Sequence, residues 1–85
     1  MDLYLVVVMF FKGMVFNGRR YYVFEKKEDA INKMVCILAE EARQLLEGED
    51  MDLEIIKLKE GDDHENIIYK GNFSRNEEYL DAISV

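Results

Sequence analysis

The densest group of side chains able to hold a metal or move a proton is Asp62-Asp63-His64-Glu65. Carboxylates beside an imidazole are the donor set of a divalent-cation site or a general base. Their spacing argues for neither, because a calcium loop alternates its acids and closes on a bidentate glutamate. The chain holds one histidine and one cysteine, too few for a self-contained His/Cys zinc site. Gly61 opens the run, and glycine followed by aspartates is what a solvated hairpin tip requires. The expectation is a turn, with no metal and no cofactor.

The remaining nucleophiles have plainer explanations. Ser74 stands three residues before Glu77, the spacing of a capping box at a helix start. Cys36 falls on the outer side of a helical pattern among acidic neighbours, which disfavour a thiolate. No glycine-rich phosphate loop is present. The sequence therefore predicts no catalytic residue and a protein that is not an enzyme.

Arg19-Arg20-Tyr21-Tyr22 sets positive charge beside stacking rings, the ingredients of a single-strand nucleic-acid platform. Against this stand 18 acids to 11 bases, a net charge of −7, a field that repels phosphates and anionic membranes alike. Direct nucleic-acid binding is not expected, and neither is membrane binding. The arginines then solvate a hairpin end while the rings pack the sheet.

The acids carry more information. On the long helix Asp29–Lys33, Glu40–Arg43 and Arg43–Glu47 fall at pairing distance along one face. No such partner accompanies Glu60, Asp62, Asp63 and Glu65, or the group Glu77, Glu78 and Asp81. Unneutralised carboxylates on a small rigid domain complement a basic groove of another protein, such as one that holds DNA or RNA. These seven residues are the predicted partner-binding set.

Several elements must position these groups. The run Leu3–Phe11 is apolar on both faces and rich in β-branched and aromatic residues, as in a strand covered from two sides. Its nine residues are too few for a membrane helix. Neither flank suits a signal peptide. Asn17-Gly18 is a strong hairpin signal, because both residues tolerate the positive φ of a type I′ turn. It would set Phe16 opposite Arg19, Met14 opposite Tyr21 and Phe11 opposite Phe24, with Gly13 as a bulge. Ile31, Met34, Val35, Leu38, Ala42, Leu45 and Leu46 then recur at helical spacing over Glu28–Glu47, and Gly48 stops the helix. Ile37 lies off that stripe. Two short strands follow, Leu53–Lys59 and Asn66–Phe73, and a short helix begins at Ser74.

The 85 residues form one α+β domain in the order ββαββα. A four-stranded, mainly antiparallel sheet carries the long helix on one face. One helix covers only one face, so the other needs the short carboxy-terminal helix or a second chain. Arg19, Arg20, Tyr21 and Ile37 are the candidates for a dimer or second interface. The lone cysteine points to a reducing, cytoplasmic compartment. The expected function is non-enzymatic: an inhibitor or adaptor that docks on a basic surface of a nucleic-acid-handling protein. A regulatory homodimer is the alternative. Compact, acidic, cysteine-poor inhibitors encoded by phages against host defences offer an analogy of composition only.

Overall fold

A computed structural model describes residues 2–59, 61 and 66–74. Four strands form one antiparallel sheet in the order β2-β1-β3-β4: β1 Asp2–Lys12, β2 Val15–Phe24, β3 Glu49–Lys59 and β4 Asn66–Ser74. Helix α1, Lys27–Glu41, joins β2 to β3 across one face and runs into a single 3-10 turn, Ala42–Gln44. The expected α+β class and the antiparallel sheet with its one helix are both observed. The expected short carboxy-terminal helix falls in residues 75–85, outside the described residues, so the order seen is ββαββ. Both β1 and β3 are interior strands. This is why their sequences read as apolar on two faces where an edge strand would alternate.

The first hairpin turns three residues earlier than Asn17-Gly18 suggested. Lys12 faces Val15, so Gly13-Met14 is the two-residue loop. Both loop residues have positive φ, 57° and 68°, the requirement of a type I′ turn. Phe11 faces Phe16 and Phe10 faces Gly18, which leaves Asn17 as the extra residue of a bulge. Gly18 absorbs the distortion with φ 147°, a value glycine reaches without cost. The cross-strand partners change accordingly: Arg19 faces Met9, Tyr21 faces Val7 and Phe24 faces Tyr4. Asn-Gly served a bulge because the backbone hydrogen bond from Gly13 N–H to Gly48 C=O, 2.9 Å, anchors the turn against the loop entering β3.

Helix α1 ends earlier than its apolar stripe implied, and it is rotated about its axis. Its buried residues are Ala30 and Ile37, with Ala42 and Leu45 following in the turn beyond it. Ile31, Val35 and Leu46, expected in the core, are 38%, 54% and 57% exposed. Ile37, expected off the stripe and offered as an interface residue, is 5% exposed and belongs to the core. Polar contacts with the sheet explain the rotation. Arg20 donates to Glu41 Oε1 at 2.8 Å, and the Lys33 ammonium lies 4.4 Å from the centre of the Tyr22 ring. Positions 33 and 41 must face the sheet for these contacts, and the line through 30, 34, 37 and 41 turns inward with them. Ala30 is fully buried, and its small side chain fits where the helix lies against the strands.

The core is built from alternate residues of the strands. Val6 and Val8 of β1 and Met51, Leu53 and Ile55 of β3 point toward the helix and are essentially inaccessible. Burial of each such side chain contributes about 1.5–3 kcal/mol. On β4 the rings of Tyr69 and Phe73 pack against this cluster and converge over Gly71, which faces Leu53. A Cβ at Gly71 would sit 2.9 Å from the Tyr69 hydroxyl and 3.0 Å from Phe73 Cε2. Glycine there lets two rings roof a part of the sheet that the helix does not reach.

Candidate interaction surfaces

The opposite face of the sheet consists of the other alternate residues. Opposed residues of antiparallel neighbours share a face, so the register defines rows across all four strands. One row is Val23, Leu5, Ile56 and Ile67. The next on this face is Tyr21, Val7, Glu54 and Lys70, followed by Arg19, Met9, Asp52 and Asn72. Leu3 and Leu58 extend the apolar end, and Phe11, Phe16, Asp50 and Ser74 the other. Val23, Tyr21, Phe16 and Ile67 are between 50% and 60% exposed. Among the described residues no element covers this face.

Its polar groups are largely engaged. Asn72 donates to Asp52 Oδ1, Lys70 lies 3.9 Å from Glu54, and Lys57 lies 3.6 Å from Asp2. The Arg19 guanidinium sits 5.0 Å from the centre of the Tyr21 ring. Phe11 and Phe16 meet edge to face, 6.0 Å apart. Three carboxylates, Asp50, Asp52 and Glu54, occupy the same face as Arg19 and Tyr21. Their field works against phosphate, as the net charge had suggested.

The four residues offered as a second interface are separated by the fold. Arg19 and Tyr21 stand on the open face. Arg20 points to the helix side, 5.1 Å above the Phe10 ring and paired with Glu41. Hydrogen bonding to Tyr22, and then to Glu41, raises the pKa of its guanidinium further above the usual arginine value, so it stays charged at any working pH. Ile37 is inside. The sequence did not single out Val23 and Ile67 of the open face, whose outward direction follows only from the register.

All seven predicted partner-binding acids, Glu60, Asp62, Asp63, Glu65, Glu77, Glu78 and Asp81, lie outside the described residues, as does His64. The two segments that hold them are attached at opposite ends of β4. Among the described residues no cluster of three or more His, Cys, Asp or Glu is arranged to hold a metal. Cys36 is exposed. A cleft of about 670 Å³ opens between the start of β1 and the start of α1, walled by Asp2, Tyr4, Glu25, Lys26, Lys27 and Glu28. Charges of both signs line it, so it favours neither an anion nor a cation. No helix among the described residues is long and apolar enough to cross a membrane. Comparison with known proteins gives no family model, no curated protein and no solved structure that matches the chain.

Proposed function

We propose that the chain is a non-enzymatic protein-binding module that docks through its surplus acids on a basic surface of a nucleic-acid-handling protein, inhibiting or adapting it. The distribution of charge carries this reading. The described residues hold eleven acids against ten bases, a near balance. Residues 60–65 and 75–85 hold seven acids against one base. Cations of the folded body are occupied close to home: Arg20 by Glu41, Lys57 by Asp2, Lys70 by Glu54 and Lys33 by the Tyr22 ring. The negative surplus therefore belongs to two stretches attached at either end of a nine-residue strand, about 30 Å apart. Two acidic points at that separation suit a basic groove better than a single basic spot. Steering by such charge accelerates encounter and is screened by salt.

The test is affinity capture on the immobilised full-length chain with a salt gradient, run in parallel with a variant carrying Asp62→Lys, Asp63→Lys and Glu65→Lys. The expected result is a basic, nucleic-acid-handling protein that is retained at low salt, elutes at moderate salt and is lost by the variant. Retention that ignores salt and survives the three reversals overturns the reading.

A further inference from the structure

We infer that a second copy of this chain covers the open face of the sheet, packed face to face about a two-fold axis that runs along the strands between β1 and β3. Area makes the first case. Four strands of up to eleven residues span a face of about 19 by 37 Å, or ~700 Å². A stable interface needs about 600–1,000 Å² from each partner. The face is large enough to form one without help from another surface.

Row order makes the second case and chooses the axis. An axis along the strands lays β2 over the second copy's β4 and β1 over its β3, and each row then meets itself. Val23 lies over the second copy's Ile67 and Leu5 over its Ile56, apolar against apolar. Arg19, the cation on the strand pair without acids, comes down over Asn72 beside Asp52. Tyr21 comes down over Lys70, which suits a cation–π contact. An axis across the strands would set Glu54 against its own copy, Asp52 against Ile56 and Asp50 against Leu58, which repels or buries charge without a partner. Two such sheets pack aligned, as in a sandwich.

The exposed apolar row also lies far from where the chain leaves the sheet. Ser74 closes β4 opposite Asp50, and Ile56 lies six residues along β3, about 20 Å away. A segment continuing from Ser74 meets the acidic end of the face first.

The test is light scattering on the full-length protein at micromolar concentration, joined to sedimentation equilibrium of variants. Twice the 10.0 kDa chain mass is expected. A species of single chain mass overturns the inference and assigns the face to residues 75–85 or to a different protein. Val23→Lys changes a 60% exposed side chain, so the circular dichroism of the variant should match the parent. The dimer dissociation constant should rise at least tenfold. A dimer indifferent to that change meets through some other surface, such as the free edge of β2, and overturns the inference too. Arg19→Asp and Asp52→Arg should each weaken the dimer several-fold, and the double variant should recover most of the loss. Failure to recover removes the proposed axis.

Discussion

At the scale of single residues, burial and chemical type part company in two places. Val35 and Ile37 are both β-branched, adjacent in the helical pattern, and indistinguishable by hydropathy. One is 54% exposed and the other 5%. What separates them is a polar contact elsewhere on the helix: Glu41 accepts from Arg20, and that bond fixes which line of the helix faces the strands. Removing the side chain at each position tests the assignment directly. Ile37→Ala should cost about 2–5 kcal/mol in urea unfolding, the loss of transfer free energy together with a residual cavity. Val35→Ala should stay within about 0.5 kcal/mol, since alanine's higher helix propensity offsets the little apolar burial that is lost. Equal costs at the two positions would contradict the rotation of the helix. The apolar stripe could not reveal that rotation, because Ile31, Val35 and Leu46 fit helical periodicity as well as the true core does. The second place is Gly71, where a residue usually read as a weak point of a strand leaves room for the Tyr69 and Phe73 rings.

At the scale of elements, most of the fold was legible in the sequence. Period-two and period-3.6 patterns locate the strands and the helix, and the two-sided apolarity of Leu3–Phe11 marks an interior strand. Turn position was less accessible. Asn17-Gly18 is the stronger local signal, yet the chain turns at Gly13-Met14 and uses Asn17 as a bulge. Met14 has φ 68° and is 94% exposed, so a large side chain sits in the left-handed region with nothing to pack against. That conformation costs a non-glycine residue about 1–2 kcal/mol. Met14→Gly should therefore stabilise the protein, by up to about 1 kcal/mol after glycine's greater freedom in the unfolded chain is counted. A turn at Asn17-Gly18 would place Met14 inside a strand, where glycine destabilises. The sign of the change in the melting midpoint therefore discriminates between the two turns. Neither strand order nor the direction of Val23 and Ile67 could be read beforehand, since both depend on a register that the bulge shifts by one residue.

At the scale of the whole molecule, charge balance in the body and surplus in two stretches make opposite demands on stability. Pairs such as Arg20–Glu41 join elements, and each surface pair of this kind contributes at most about 1 kcal/mol. Surplus acids without partners in the same molecule add only self-repulsion, which salt relieves over a Debye length of about 10 Å at 0.1 M. Neutralising them should be harmless to the fold. A variant with Asp62→Asn, Asp63→Asn and Glu65→Gln should melt at the same temperature as the parent or slightly higher at low ionic strength. The gap should close as salt is added. Glu41→Gln should melt lower than the parent at low salt, because it removes the charge that holds Arg20 between helix and sheet. Thermal melts of the three proteins across a salt series measure all of this in one experiment. If the triple variant instead loses stability, those carboxylates are tied to cations of their own chain, and a surface that seeks an external basic partner has no physical basis. If it holds its stability, the acids are free to do work that folding does not require of them.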